Sequence, residues 1–206
     1  MKIDQGINCQ EGVTLVELLV TLALSFSTVA AVYGIHLVQI RQQRFQEEGI
    51  AMQQNVRAAM DMIVREVRMA GYDPMGVNSD GNSTNDFFGV TVESNGMGVR
   101  ADLNGNGVLG DSNETVVYSW DKQSLTLRRK VGAGGRQPVG DYIEKAVFLP
   151  LNRQGVTTSD PRTIQTVEIQ LRGRTQHPDS LFPENDGFRT FELRSQVTPR
   201  NLYGPP

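Results

Sequence analysis

The distribution of apolar positions divides the chain into a long, almost uninterrupted apolar run and a longer part in which apolar and polar positions are interspersed. Residues 13–40 contain no proline, and their only carboxylate or basic side chains are those of Glu17 and His36. A helix rises about 1.5 Å per residue, so this run would be roughly 40 Å long, enough to cross the hydrocarbon core of a bilayer. The pattern predicts a membrane-spanning helix over residues 13–40.

The helical pattern continues beyond the apolar run. Between residues 41 and 70, the apolar positions follow one another in steps of 7, 4, 4, 3 and 4 residues, which places them on one helix face. These positions are Phe45, Met52, Val56, Met60, Ile63 and Val67. Gly71 and Pro74 then supply a common helix end. We expect one continuous helix of about 57 residues, in which residues 41–73 form an amphipathic second half.

After residue 73 the pattern changes to short β-type runs separated by Gly, Asn, Asp and Pro. In one run, Val167, Ile169 and Leu171 alternate with polar residues, as in a strand with one buried face. The predicted strands cover residues 87–92, 97–101, 115–120, 124–129, 142–149, 164–172 and 188–197. The third and fourth are expected to form a hairpin. The sequence predicts an α+β fold, in which the long N-terminal helix packs on an antiparallel β-sheet in a head domain of residues 74–206.

Composition narrows the class of protein. The 206 residues, 38% hydrophobic and 21% charged, allow one globular domain beside the predicted anchor. The net charge of -3 gives no electrostatic reason to expect binding to nucleic acid. Cys9 is the only cysteine, so no disulfide can form within the chain. His36 and His177 are the only histidines and form no catalytic triad or zinc motif, so we expect no enzyme activity and no required cofactor.

The stretch GVTLVELLV, residues 12–20, joins a glycine, an apolar run and one acid. It resembles the processing signal of type IV prepilins and pseudopilins. The resemblance implies that a prepilin peptidase removes the leader, residues 1–12, by cutting between Gly12 and Val13. It also implies that the new N-terminal residue, Val13, is methylated. Glu17 then becomes the fifth residue of the mature chain.

The position of Glu17 has a physical interpretation. A lone carboxylate at membrane depth costs several kcal/mol, so such a residue usually has a function or a charged partner. In the family that the stretch resembles, this carboxylate pairs with the N-terminal amine of an adjacent subunit during assembly. Charge pairing is strong in an apolar bundle, so the resemblance implies that Glu17 favours a docked subunit over an unpaired one.

The resemblance extends to the segment VREVRMAGYDP, residues 64–74, and to the β-rich end. These features point to minor pilins of the PilW kind, which take part in pilus assembly or priming, or to J-type minor pseudopilins of type II secretion. Either implies a single-pass inner-membrane protein with a periplasmic head, which later joins major and minor subunits in a pilus or pseudopilus. One alternative is a membrane-anchored, calcium-dependent adhesion or binding module that never enters a filament.

Two further alternatives concern the N-terminal helix. Val29, Ala30 and Ala31 would also suit a secretory signal peptidase, which would release a soluble protein beginning at Val32. Against this stands the helical pattern, which continues past that site. Gly34 has two interpretations. It is a weak point in the helix, at a position where many type IV pilins also have a helix-breaking residue, or it is a site of close helix packing.

Residues 102–114, DLNGNGVLGDSNE, are similar to a calcium-binding loop of the D-x-[DN]-x-[DN]-G type. The candidate ligands are Asp102, Asn104, Asn106, the Val108 carbonyl, Asp111 and Glu114. A bound Ca²⁺ would order the loop and would have no catalytic role. The twelfth residue is Asn113, where such loops usually carry a bidentate acid. The alternative is an Asx-rich connection whose side chains bond to their own backbone, and both interpretations remain open.

Residues 130–136, KVGAGGR, are rich in glycine but lack the GK[ST] ending of a phosphate-binding loop. They are predicted to connect the two strands of a hairpin. A basic cluster of Arg128, Arg129, Lys130 and Arg136 surrounds this connection. Four charges beside a loop are more typical of a solvated face than of a DNA-binding surface.

Overall fold

One long helix dominates the N-terminal part of the structure, a computed structural model that describes residues 12–180 and 182–202. This helix, α1, spans Leu15–Met69 and contains 55 residues. At its start, the backbone N–H of Glu17 donates a hydrogen bond of 3.3 Å to Oγ1 of Thr14. At its end, Gly71 adopts a φ of 77°, a left-handed conformation that glycine adopts readily and that often terminates helices. The expectation of one long N-terminal helix is confirmed.

The described residues form two compact units, which divide between Gln46 and Glu47. The first unit contains the apolar part of α1. Within an 18-residue window of this part, the mean hydropathy is 2.1 and no residue is buried inside the chain. The hydroxyls of Thr21, Ser25 and Thr28 donate to backbone carbonyls one turn earlier, at 2.8–2.9 Å. By length and composition, α1 is therefore a candidate membrane span, and these three hydroxyls are satisfied within the helix.

The second unit contains the remainder of α1 and two antiparallel sheets. The first sheet has five strands in the order β1-β2-β3-β4-β5, and the second has three in the order β6-β7-β8. The strands are β1 Val90–Glu93, β2 Gly96–Arg100, β3 Thr115–Asp121, β4 Thr126–Val131, β5 Arg136–Gly140, β6 Ile143–Leu151, β7 Thr166–Arg174 and β8 Thr190–Val197. Short 3-10 helices lie at Val77–Ser79 and Glu184–Gly187. Each sheet is a meander, because consecutive strands are neighbours.

Two strand predictions need correction. The sequence predicts one sheet, whereas the eight strands are divided between two. The sequence also does not predict β5, which contains Pro138 and begins with the exposed polar residues Arg136 and Gln137. Proline cannot donate to a ladder, and it is tolerated here because β5 is the last strand of its sheet. The predicted hairpin of the third and fourth strands is confirmed by the antiparallel pairing of β3 with β4.

The core of the second unit is built around the predicted helix stripe. Met52, Val56, Met60, Ile63 and Val67 are all buried. Four of them, Val56, Met60, Ile63 and Val67, belong to one apolar cluster that also contains residues from both sheets, among them Tyr118, Leu127, Ile143, Ile169 and Leu171. Burial of each large aliphatic side chain stabilises a fold by about 1.5–3 kcal/mol. Because the stripe shares a core with both sheets, α1 is a structural part of the head and not only an anchor.

Candidate functional site

The predicted cleavage site lies just before α1. Gly12 and Val13 are exposed, and they precede the first helical residue. A Cβ atom added at Gly12 would meet no atom within 4 Å in the described structure, so packing gives no reason for glycine there. The rest of the leader, including Cys9, lies outside the described residues. Cleavage after Gly12 and methylation of Val13 stay predictions, made at a position that is open to a second protein.

Glu17 lies in the first turn of α1. Thr14 and Glu17 have the spacing of a capping box, in which the threonine hydroxyl accepts from the backbone N–H of the third helical residue. The partial positive charge of a helix N-terminus favours a carboxylate at this position. Among the residues that the structure describes, the Glu17 carboxylate forms no hydrogen bond and no ion pair. The side chain is exposed beside Val13, Val16 and Val20, so it is free to meet a charged group on another molecule.

A cluster that the sequence patterns do not predict joins α1 to the five-stranded sheet. Glu66 on α1 accepts hydrogen bonds from the hydroxyl of Tyr118 on β3 and from Nε and Nη2 of Arg129 on β4. Tyr118 and Arg129 are direct cross-strand neighbours, so one carboxylate meets both donors. Burial raises the pKa of Tyr118, and the hydrogen bond to Glu66 and its negative charge raise this pKa further. The only sequence signal is an acid placed between the buried positions Ile63 and Val67.

A second polar contact ties α1 to the segment between β7 and β8. Glu48 accepts a hydrogen bond of 3.2 Å from the backbone N–H of His177, and its Oε1 lies 2.9 Å from Nδ1 of the same residue. The contact lies well away from the Glu66 cluster along α1. His177 is thus a partner of α1 through both its backbone and its ring.

The loop of residues 102–114 is organised by two buried carboxylates. The Asp102 carboxylate accepts hydrogen bonds from the backbone N–H groups of Gly105, Asn106 and Gly107, at 2.8–3.2 Å. The Glu114 carboxylate accepts from the N–H groups of Asn104 and Asp111. Asp102 is 0% exposed and Glu114 is 2% exposed. These two acids therefore hold the loop through its own backbone.

The remaining candidate ligands also bond within the loop. The side-chain amides of Asn104 and Asn106 both donate to Oδ2 of Asp111, at 2.6 and 2.7 Å. The side-chain oxygens of the two asparagines accept from the N–H groups of Asn106 and Val108. Within residues 12–180 and 182–202, no three His, Cys, Asp or Glu side chains are grouped as metal ligands. The loop has the hydrogen bonds of the Asx-rich alternative, and calcium binding stays a prediction.

The glycine-rich residues 130–136 connect two strands. Val131 ends β4 and Arg136 begins β5, and the two strands pair antiparallel. A phosphate-binding loop would be followed by a helix, whereas this segment is followed by a strand. The predicted hairpin connection is confirmed. Arg129 points to the core side and bonds to Glu66, so it is not part of the solvent-facing basic cluster.

Comparison with known proteins gives one family match and a distant structural similarity. A family model described as "Prepilin peptidase-dependent protein B" matches residues 46–181, more than half of the chain. A solved structure of a type IV-like pilin from Thermus thermophilus is 16% identical, with coverage of 73% of this chain and 98% of that one. Its TM-score of 0.45 supports no conclusion about this chain. No curated protein matches the sequence.

The family match and the processing motif come from different parts of the chain. The match begins at residue 46, whereas the motif occupies residues 12–20. The two observations therefore support the family independently. The family is described by its dependence on prepilin peptidase, and the prepilin-like motif lies outside the residues that the family model matches.

Proposed function

The chain belongs to the family described as prepilin peptidase-dependent protein B, and we propose that it is a PilW-like minor pilin that takes part in pilus assembly or priming. In this role it is a structural subunit and has no catalytic residues of its own. Its partners are prepilin peptidase, which acts on it, and the major and minor pilins beside which it assembles. A minor pseudopilin of a type II secretion system is the alternative within the same family.

The observation that carries this proposal is the unequal environment of the two parts of α1. The part in the second unit buries Val56, Ile63 and Val67 completely in the core of the head. The part in the first unit leaves large apolar side chains exposed, for example Val16 at 68% and Phe26 at 66%. A continuous apolar surface of this size marks a membrane or protein contact. We propose that lipid covers it before assembly and that the helices of other subunits cover it afterwards.

The proposed assembly contact is an ion pair between Glu17 and the N-terminal amine of a neighbouring subunit. A carboxylate among exposed apolar side chains is expensive to place in a membrane without a partner. A methylated Val13 amine can still carry a positive charge. Pairing of the two groups inside an apolar bundle would offset the free-energy cost of placing each unpaired charge there. A docked subunit would therefore be favoured over a free one.

A Glu17→Ala variant tests the assembly proposal against a membrane-anchored module that never enters a filament. The subunit proposal expects normal removal of the leader and incorporation into filaments reduced severalfold. Thr21→Ala is the matched control, because it removes a polar side chain from the same helix without changing its charge. Incorporation is measured by quantifying the protein in sheared filaments. If Glu17→Ala and Thr21→Ala assemble equally well, the proposed role of Glu17 is wrong.

The choice between pilus and secretion pseudopilus needs a different experiment. A strain that lacks this chain is examined for surface pili and for secretion of proteins across the outer membrane. Our proposal expects pilus number to fall while secretion is unchanged. Loss of secretion with normal pili would instead assign the chain to a type II secretion system.

We also propose a single pass through the inner membrane with the head in the periplasm. The mature chain expected after cleavage contains no cysteine, since Cys9 belongs to the leader. A Val156→Cys variant therefore places one thiol on the head, at a side chain that is 59% exposed. A membrane-impermeant maleimide should label this thiol in intact spheroplasts. Labelling that requires lysis would place the head in the cytoplasm and contradict the proposed orientation.

Calcium binding by residues 102–114 is proposed only as a structural stabilisation of that loop. The alternating oxygen-bearing side chains support it, and the loop's own hydrogen bonds support the Asx-rich alternative. Bound calcium would raise the melting temperature of the full chain in a neutral detergent, and excess EGTA would lower it again. An unchanged melting temperature at saturating calcium would overturn the calcium proposal and leave the minor pilin proposal intact.

A further inference from the structure

Three cationic side chains lie on the outer face of the five-stranded sheet, on the neighbouring strands β4 and β5. Residues directly opposite each other on neighbouring strands share a face. Lys130 lies opposite Val117 on one side and Arg136 on the other, and Arg128 lies opposite Ser119 and Pro138. Since Arg128 and Lys130 are two residues apart on β4, they point the same way. We call Arg128, Lys130 and Arg136 the basic face.

The basic face is only partly compensated, because Asp121 lies diagonal to Arg128 on β3 and its carboxylate interacts with that guanidinium. Lys130 and Arg136 are direct cross-strand neighbours, and like charges in this arrangement destabilise a sheet. Within residues 12–180 and 182–202, none of the three side chains forms a hydrogen bond or an ion pair. Arg129, which alternates to the other side of β4, bonds to Glu66. Among the described residues, the sheet thus pairs the cation on its inner face with a carboxylate and leaves the three cations of the basic face without a hydrogen bond or salt bridge.

The basic face borders a shallow groove on the same side of the sheet. Gly96 pairs with Ser119 and Gly98 pairs with Val117, and the side chains of Thr91 and Glu93 on β1 lie over Gly98. A cavity of about 480 Å³ lies here, with Ser119, Arg128 and Arg136 in its lining. This volume is in the range of ligand-binding pockets.

Two acids also line the groove, Glu93 on its far rim and Asp121 beside Arg128. Glu93 on β1 pairs with Gly96, in the cross-strand row that also contains Ser119 and Arg128, and Asp121 on β3 lies two residues beyond Ser119. Both acids line the same cavity as the arginines. A uniformly anionic polymer such as nucleic acid would meet these two carboxylates in the groove. A protein segment can present carboxylates to one rim and neutral or basic side chains to the other.

We propose that this groove binds an extended, carboxylate-bearing segment of a partner protein, with its acidic side chains on Arg128, Lys130 and Arg136. Guanidinium groups hold carboxylates through two parallel hydrogen bonds, and the ammonium of Lys130 adds a third donor group between them. Because β5 is the last strand of its sheet, the segment can reach the basic face from the open edge. The proposal does not depend on filament assembly, since the groove belongs entirely to the head of one chain.

The test uses the full chain in an uncharged detergent and a fluorescent peptide of alternating Glu and Thr, read by fluorescence anisotropy. The same peptide with Gln in place of Glu is the matched probe without carboxylates. A variant with Arg128→Gln, Lys130→Gln and Arg136→Gln should bind the Glu peptide about tenfold more weakly or worse. A control variant with Lys145→Gln, Arg153→Gln and Arg200→Gln removes the same charge from exposed positions elsewhere, and its binding should not change.

Several results would overturn the proposal. These are absent binding of the Glu peptide, equal binding of the Gln peptide, and equal weakening in the two triple variants. Duplex DNA and vesicles containing phosphatidylglycerol are tested in parallel. If either binds as tightly as the Glu peptide and is weakened equally by the groove triple variant, the proposal of a protein segment is wrong and that ligand takes its place.

One single variant separates binding from folding. Lys130→Gln removes the repulsion between Lys130 and Arg136, so it should raise the melting temperature of the free chain while it weakens peptide binding. A purely structural role of Lys130 predicts that stability and binding change in the same direction. That result would contradict the proposal even if the triple variant failed to fold.

Discussion

Arg129 donates two hydrogen bonds to one carboxylate oxygen of Glu66, from Nε at 2.9 Å and from Nη2 at 2.6 Å. The other oxygen of Glu66 accepts from the hydroxyl of Tyr118, whose side chain is fully buried. Glu66 belongs to α1, and its two partners belong to adjacent strands of the five-stranded sheet. One residue of α1 thus connects the helix to the five-stranded sheet through charge-assisted hydrogen bonds.

Removal of Glu66 should therefore destabilise the head. Glu66→Ala leaves the buried Tyr118 hydroxyl and the Arg129 guanidinium without their acceptor, and we expect a loss of about 1–3 kcal/mol in the free energy of unfolding. Asp61→Ala is the matched control on an exposed part of α1 and should change this value by less than about 0.5 kcal/mol. Urea unfolding of the full chain in a neutral detergent measures both. Equal effects of the two substitutions would contradict a structural role for the cluster.

The raised pKa of Tyr118 predicts a loss of stability in alkali. The folded state keeps the phenol protonated, whereas the unfolded chain releases the proton above its ordinary pKa of about 10. The stabilising contribution is complete below that pH and declines as pH rises beyond it, by about 1.4 kcal/mol per pH unit. Tyr118→Phe carries no such proton. The difference in free energy of unfolding between wild type and Tyr118→Phe should be constant from neutral pH to about 9 and should fall above about 10.

Close contact between α1 and the three-stranded sheet predicts intolerance of any side chain at Gly173. A Cβ atom on Gly173 would lie 2.5 Å from Cγ2 of Val56 and 3.2 Å from Cγ of Met52. Gly173→Ala should force α1 and β7 apart and cost about 1–3 kcal/mol of unfolding free energy. Gly135→Ala is the control, because nothing lies within 4 Å of an added Cβ there. A stability of Gly173→Ala equal to that of the control would show that the contact is looser than described.

The buried carboxylate of Asp102 predicts that its charge matters more than its shape. Asp102→Asn replaces one acceptor oxygen by an amide donor, so at least one of the three backbone N–H groups of residues 105–107 loses its partner. We expect a loss of about 1–3 kcal/mol in unfolding free energy without added calcium. Asp86→Asn, at an exposed acid in the same part of the head, should have little effect. Equal stability of the two variants in thermal unfolding would contradict the loop-organising role of Asp102.

The sequence predicts the fold where one periodicity dominates. The steps between Met52 and Val67 place them on one face, and all the stripe residues between these two are buried. The alternation of Val167, Ile169 and Leu171 likewise corresponds to buried positions of β7. Periodicity predicts these elements well because burial of apolar side chains decides both the pattern and the packing.

The rest depends on tertiary pairing that a local pattern does not contain. β5 is an edge strand with Pro138 and exposed polar residues, so it shows no alternation. The division into two sheets follows from which strands pair, and each strand alone fits either arrangement. The sequence pattern predicts Glu66 only as a polar position of an amphipathic helix. Its contacts with Tyr118 and Arg129 form only when the sheet packs on α1. The hydrogen bonds of the Asx-rich loop likewise require its closed geometry.

The most direct test of the central claim is the intact mass of the mature protein purified from its membrane. A prepilin-type subunit should begin at Val13 and carry one methyl group, so its mass should equal that of residues 13–206 plus a methylene. A Gly12→Leu variant should retain the leader, whereas Gly34→Leu, at a glycine within α1, should still be cut. A mature chain that begins at Val32, or a native chain that keeps residues 1–12, would contradict the account.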